Sequence, residues 1–135
     1  MYVDTVLLVA ILKPNDRHKS FSEQIINSKE NLYTSAATLI ELEIVVKREI
    51  SDFLSKSILT IIAEKIPRLK IIPFDQKTLQ KSLELRKKYE LGIYDSIHAA
   101  TCLLKDKKIA STDHIFDKIP GIERSTDKID EHNNF

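Results

Sequence analysis

The chain has 135 residues, 42% of them hydrophobic and 30% charged, with a formal net charge of +1. That length and balance fit one globular domain and exclude a disordered or low-complexity chain. The near-neutral charge makes no electrostatic case for a nucleic-acid partner, and the single cysteine excludes an internal disulfide or a thiolate metal cage. That cysteine, Cys102, sits in the apolar run Ala99-Ala100-Thr101-Cys102-Leu103-Leu104 and reads as a small buried hydrophobe. The apolar run Val6 to Leu12 is too short to span a bilayer. The expected setting is therefore the cytoplasm, with no membrane partner.

Met1 to Val3 reads as a short strand, and Thr5 to Lys13, apolar almost throughout and stopped by Pro14, as a buried helix. Arg17 to Ser28 is amphipathic, with Phe21, Ile25 and Ile26 on one side. Asn31 to Thr34 reads as a strand, Thr38 to Glu49 as a strongly apolar helix and Ser51 to Ile66 as another. Leu69 to Phe74 has the compact β-branched run of a buried strand. Gln76 to Tyr89 reads as a helix with one highly charged face. Gly92 interrupts it, and Tyr94 to Leu104 follows with Ile97, Ala100 and Leu104 at helical spacing. Lys108 to Ser111 reads as a strand, Ile115 to Ile119 as a short helical turn and Ile122 to Arg124 as an edge strand. The polar end, Thr126 to Phe135, is expected to fray, which bounds the domain at residues 1–125.

Alternating strands and helices are the grammar of a parallel sheet covered on both faces. Ligands of such sheets bind outside the carboxyl ends of the strands. Asp4 follows the first strand directly and Asp113 follows Lys108 to Ser111. Glu41 lies in the first turns of the helix after Asn31 to Thr34, and Asp95 opens the helix Tyr94 to Leu104. All four belong to one end of the proposed sheet. Two carboxylates ~4 Å apart repel by about 4 kcal/mol at an intermediate dielectric. Asp4, Glu41 and Asp95 have only apolar or small neighbours in sequence, so a bound cation is the natural counter-charge. Mg²⁺ takes oxygen ligands and needs few of them, and hydrolysis of a phosphodiester needs the activated water and charge stabilisation that such an ion supplies.

A plain structural reading competes at each position. Asp4, Asp95 and Asp113 each suit a helix cap, and Thr38-Leu39-Ile40-Glu41 matches a capping box. Asp75 also follows a strand and opens a helix, yet reads as a simple cap. Position alone over-predicts, so the ordered set has to decide.

That set resembles the PIN-domain family. Met1-Tyr2-Val3-Asp4-Thr5 with Val6-Leu7-Leu8 looks like its first motif, and Thr34-Ser35 through Leu39-Ile40-Glu41-Leu42 like its second. Tyr94-Asp95-Ser96-Ile97-His98-Ala99-Ala100 is the most specific match, to the third. Ile109-Ala110-Ser111-Thr112-Asp113, then Phe116-Asp117, resembles the fourth. The resemblance spans residues 2 to about 119 in the expected order. It implies a three-layer α/β/α fold around a central, mainly parallel sheet of four to five strands. It also implies a Mg²⁺- or Mn²⁺-dependent ribonuclease similar to VapC-type toxins of toxin–antitoxin pairs. Such proteins act on RNA, form homodimers or higher homo-oligomers and are silenced by a small antitoxin. By position, the resemblance gives Asp4, Glu41, Asp95 and Asp113 the metal-binding and catalytic roles. Thr5 and Thr112 support them, and Asp117 is a further candidate ligand.

One departure stands out. The family's first motif carries Asn two residues after its Asp; here that position is Val6. A non-catalytic or weakly active PIN-like binding module is the alternative this raises. A phosphoryl-aspartate enzyme is disfavoured, because Asp4-Thr5-Val6 lacks the second Asp such a motif requires. His98 and His114 read as bystanders, since a hard cation does not need imidazole. Arg86-Lys87-Lys88 reads as a solvated face. Lys13, Arg17 and Lys19 are better placed to meet RNA. The apolar excess on Thr38 to Glu49 and Ser51 to Ile66 suits a second copy or an antitoxin.

Overall fold

A computed structural model describes residues 1–125; the end expected to fray, 126–135, lies outside the described residues. Five short strands are Tyr2–Val3 (β1), Tyr33–Ser35 (β2), Lys70–Ile72 (β3), Lys108–Ala110 (β4) and Glu123–Ser125 (β5). They form one sheet in the order β3-β2-β1-β4-β5, and every pairing is parallel. The chain moves outward from β1 through β2 to β3, then returns to lay β4 on the other side of β1. That reversal creates a switch point between β1 and β4, where a crevice opens at the carboxyl edge.

Successive strand residues face opposite sides, and the cores divide accordingly. Val3, Leu32 and Ala110 join the cluster that contains Leu7, Leu8, Leu42, Val46 and Ile62. Tyr2, Tyr33 and Ile109 join the cluster that contains Leu85, Ala99, Ala100, Cys102 and Phe116. One face is therefore covered by helices Thr5–Leu12 (α1), Lys19–Ile26 (α2), Ala36–Glu49 (α3) and Ile58–Lys65 (α5), with the short Asp52–Ser55 (α4) at the end of α3. The other is covered by Gln76–Tyr89 (α6), Ile93–Leu103 (α7) and the 3₁₀ turn His114–Lys118. This is the expected three-layer arrangement.

The helix ends follow local chemistry. Asp4 caps α1 through Thr5 N–H, and α1 stops at Lys13, whose extended backbone is what a following proline favours. Ser35 caps α3 through Ala37 N–H. Helix α3 thus starts two residues before Thr38, so Glu41 has no capping-box partner there. Asp75 caps α6 and Glu90 closes it in the left-handed conformation. Gly92 then serves as N-cap of α7, so Asp95 lies inside the first turn and is not the cap.

Two sequence expectations fail. Ser51 to Ile66 is not one helix: it breaks into α4 and α5 around Lys56 and Ser57. The hydroxyl of Ser55 bonds the Asp52 carbonyl, and three serines in seven residues offer the backbone turn geometries that compete with a continuous helix. Leu69 to Phe74 is not a buried strand but the shorter edge strand β3, with Lys70 exposed and Ile71 and Ile72 half-buried. Pro73 ends it, having no N–H for the ladder.

Cys102 is fully buried and its thiol is pushed up to about 12 by that burial, which suits an inert core residue. Leu8 is fully buried on α1, in the cluster with Val3, Leu42 and Val46. Leu8→Ala should lower unfolding free energy by about 2–5 kcal/mol, read as a shifted midpoint with unchanged slope in urea denaturation.

Candidate active site

Four acids from four elements meet at the switch point. Asp4 leaves β1, Glu41 sits on the second turn of α3, Asp95 on the first turn of α7 and Asp113 just after β4. They line one open cleft of about 640 Å³, together with Thr5, Val6, His98, Thr112 and His114. Helix α1 contributes one wall through Thr5, Val6, Val9 and Lys13. Helix α3 contributes the other through Glu41, Val45 and Glu49, a stripe at four-residue spacing. Of the three basic residues singled out near α1, Lys13 reaches the cleft. Lys19 lines a separate groove, and Arg17 bonds His18 at the surface.

Asp4 is the most fixed of the four. Only 6% of the residue is exposed. One carboxylate oxygen accepts the Thr5 N–H at 2.7 Å and the other accepts the Ser111 hydroxyl at 2.5 Å. Burial raises its carboxyl above the usual range, although His98 and these hydrogen bonds oppose the shift. Ser111 also accepts the Asp113 N–H at 3.0 Å, so one hydroxyl joins the loops after β1 and β4.

Glu41 is held from two sides. Thr5 donates its hydroxyl to Oε1, and His98 Nε2 lies 3.0 Å from the same oxygen. Burial pushes its carboxyl up, but the bonds from His98 and Thr5 outweigh that and leave it below the usual range. The hydroxyl of Thr5 therefore serves Glu41, while its backbone N–H serves Asp4. His98 is itself buried, 3.5 Å from Asp4 Oδ1, with its other ring nitrogen against Tyr2. Burial lowers the imidazole's proton affinity, yet Glu41, Asp4 and Asp95 more than reverse this and raise it.

Asp95 is half-buried and raised by that burial; His98 counters, and the charges of Asp113, Asp4 and Glu41 push it up again. The four acids thus feel one another across the cleft. Asp113 is exposed and caps the 3₁₀ turn through Ile115 N–H. Thr112 lines the cleft. Asp117 faces elsewhere: Arg124 grips both its oxygens at 3.0 Å, and His114 adds a contact at 3.2 Å, which together hold its carboxyl down.

Sequence reasoning set His98 aside as a bystander, because a hard cation does not need imidazole. It is in the core, but its partners are the site's own carboxylates. Ser111, Tyr2 and Thr38 were not singled out at all. A usable signal for His98 was its place three residues after Asp95, on the same helical face.

A family model, that of the PIN domain, matches residues 1–122. The chain belongs to the PIN-domain family. Solved structures of similar fold include VapBC2 from Rickettsia felis bound to a promoter DNA fragment, at 20% identity and TM-score 0.72, covering 94% of this chain and 98% of that one. VapC20 from Mycobacterium tuberculosis, described as a toxin that cleaves the sarcin–ricin loop, matches at 16% identity and TM-score 0.74, covering 87% and 92%. A toxin–antitoxin complex from Klebsiella pneumoniae matches at 21% identity and TM-score 0.68, covering 90% and 94%. No curated protein gives a significant match.

In this PIN domain, no three His, Cys, Asp or Glu side chains among the described residues already converge as a ligand cage. The acids instead surround an open cleft, two of them with carboxyls raised by burial. A raised carboxyl means the folded state holds its proton more tightly than the unfolded chain does. Stability linked to Asp95 is then lost as pH rises through its raised value, and the ionised form is a liability at neutral pH. Asp95→Asn should therefore raise the melting temperature of the metal-free protein by a few degrees near pH 7. That gain should shrink as the pH is lowered into the range where Asp95 itself is protonated.

Proposed function

We propose that this protein is a Mg²⁺- or Mn²⁺-dependent endoribonuclease, acting as the toxin of a type II toxin–antitoxin pair in the cytoplasm. The observation that carries this reading is the convergence of Asp4, Glu41, Asp95 and Asp113 on one open cleft at the sheet's switch point. The donor chemistry fits the ion. All four offer hard oxygens, and Mg²⁺ keeps several waters while taking few carboxylates directly, so a preformed cage is not required. Burial raises Asp4 and Asp95 and the neighbouring carboxylates add to it; a cation would favour the ionised form of both. A bound divalent ion supplies charge stabilisation for the phosphodiester and a readily ionised water.

The chain's own residues would do the rest. Asp4, pinned by Thr5 N–H and Ser111, and Glu41, pinned by Thr5 and His98, form the rigid half of the ligand set. Asp95 and Asp113 form the open half, next to Thr112. Lys13 and His114 stand where the cleft meets solvent and offer donors to a phosphate backbone. The RNA-cleaving description of the Mycobacterium tuberculosis relative supports the substrate class.

An antitoxin and a second copy of the chain are the proposed partners. The Klebsiella pneumoniae relative was solved as a toxin–antitoxin complex, and this chain leaves large apolar side chains uncovered. Phe53 is 79% exposed and Leu59 59%, beside an apolar groove between α1, α3 and α5. Among the described residues no helix is long and apolar enough to cross a membrane.

Purified protein should cleave RNA when given Mg²⁺ or Mn²⁺ and stop when EDTA is added. Asp95→Asn should cut the rate by about 100-fold or more while circular dichroism stays unchanged. Cleavage that survives EDTA would sink the reading.

A second reading, a weakly active or purely binding module, draws on Val6. Its side chain lines the cleft where the family resemblance expects an amide. Thermal melting separates the two: Mn²⁺ should raise the melting temperature by mass action if the site binds it. Val6→Asn should raise the cleavage rate if the missing amide limits an otherwise intact site. An unchanged rate assigns Val6 no such cost.

A further inference from the structure

One buried polar cluster stands behind His98, on the side of the ring away from the cleft. Tyr2 projects from the central strand, and its hydroxyl lies 2.5 Å from His98 Nδ1 and 2.5 Å from Thr38 Oγ1. Thr38 Oγ1 is also 3.3 Å from that nitrogen. All three residues are 1% exposed or less. The opposite ring nitrogen, Nε2, lies 3.0 Å from Glu41 Oε1, 3.3 Å from Thr5 Oγ1 and 3.5 Å from Asp4 Oδ1.

We propose that His98 is a positioning residue, locked by Tyr2 and Thr38, that aims an N–H at Glu41 and thereby sets the carboxylate for metal binding. The inference rests on the metal-nuclease reading and goes beyond it by assigning the group that organises one ligand. Its direction follows from donor and acceptor chemistry. Glu41 is a carboxylate and only accepts, so Nε2 must carry a hydrogen to satisfy a 3.0 Å contact. In the neutral ring Nδ1 is then the acceptor, and the Tyr2 hydroxyl donates to it. In the charged ring Nδ1 donates to the Tyr2 oxygen instead. Both states leave the Nε2–H pointing at Glu41, so the role does not depend on which one is populated.

The lock matters because of the residue it serves. Asp4 is fixed by a backbone N–H one residue away and by Ser111. Glu41 has a longer side chain with more rotatable bonds, and it starts from a helix on the far wall of the cleft. Without His98 it would keep only the Thr5 hydroxyl. The ring is fixed from two elements: Thr38 lies one turn before Glu41 on α3, and Tyr2 belongs to the centre of the sheet and packs edge-on against Tyr33 at 5.7 Å. The outer partners of metal ligands commonly act in this way, orienting the ligand without touching the ion. The same N–H lies near both Asp4 and Glu41, so it also offsets their repulsion in the metal-free protein.

Two substitutions separate this role from simple core filling. Glutamine at 98 extends an amide N–H toward the place of Nε2; asparagine places one near Nδ1 and falls short of Glu41. Both bury one polar amide, so a residue that merely fills space predicts the same result for each. Free Mn²⁺ should be titrated by electron paramagnetic resonance against the wild type, His98→Gln, His98→Asn and Tyr2→Phe. His98→Asn should weaken Mn²⁺ binding by about 10- to 100-fold, and His98→Gln should recover it to within about threefold. Tyr2→Phe, which keeps the ring and removes the lock, should fall between them. The Mn²⁺ concentration for half-maximal cleavage should move in parallel, with the KM for RNA unchanged.

Equal binding by His98→Asn and wild type overturns the role and leaves the nuclease reading standing. So does His98→Gln performing no better than His98→Asn when both are folded. A wild type that binds no Mn²⁺ overturns the nuclease reading itself, and this role with it. Should the variants fail to fold, the nitrogen-15 spectrum of wild-type His98 decides: a proton on Nε2 is expected, and a bare Nε2 overturns the proposal.

Discussion

The structure depends on keeping like charges together at the carboxyl edge of a small parallel sheet. Four acids share one cleft, and water alone would let them move apart. What keeps Asp4 and Glu41 in place is a set of donors from rigid elements: a helix N-terminus for Asp4, the hydroxyls of Thr5 and Ser111, and the N–H of a buried histidine. Each donor comes from a segment that the fold fixes for other reasons. Asp4 is at once the last residue of a central strand's exit and the N-cap of α1. The cap bond is supplied by the chain itself, so the first acid is positioned without a cation.

The fold was largely legible in the sequence because periodicity and helix-stop signals are local. Pro14 and Gly92 mark boundaries that the structure keeps. What failed was also local: a serine-rich stretch that breaks Ser51 to Ile66 into two helices, and an edge strand whose β-branched run looked buried. The four acids were found by their place after strands or at helix starts, but position alone treats Asp75 and Asp95 alike. The structure separates them by cap geometry. Asp75 bonds its own helix at Thr78, whereas Gly92 caps α7 and leaves Asp95 free to face the cleft.

The residues that sequence reasoning passed over share one property: their role is set by contacts far along the chain. Ser111 meets Asp4 across 107 positions, and His98 meets Glu41 across 57. No spacing rule carries that information, because it depends on β4 lying beside β1 and on α3 facing α7. His98 was dismissed on chemical grounds, since a hard cation prefers oxygen. That reasoning weighs imidazole only as a ligand. It omits the case in which the ring acts on a ligand, where a directional N–H is the useful property.

The same distinction bears on Val6. An amide there would offer the cleft another polar group; valine extends the apolar part of the α1 wall, with Val9 beside it and Val45 on the α3 wall. The two consequences oppose each other. Losing a donor leaves the acids more dependent on Thr5, Ser111 and His98. A drier wall lowers the local dielectric, which strengthens every charge interaction in the cleft, including attraction to a cation. A site with that wall tolerates the loss only if its remaining donors are rigid. The donors here are rigid: Ser111 is fully buried at the end of β4, and His98 Nδ1 is held by the buried Tyr2 hydroxyl, which Thr38 holds in turn. The buried Tyr2–Thr38–His98 cluster thus supplies from inside the core a directional donor that valine at position 6 does not offer from the cleft.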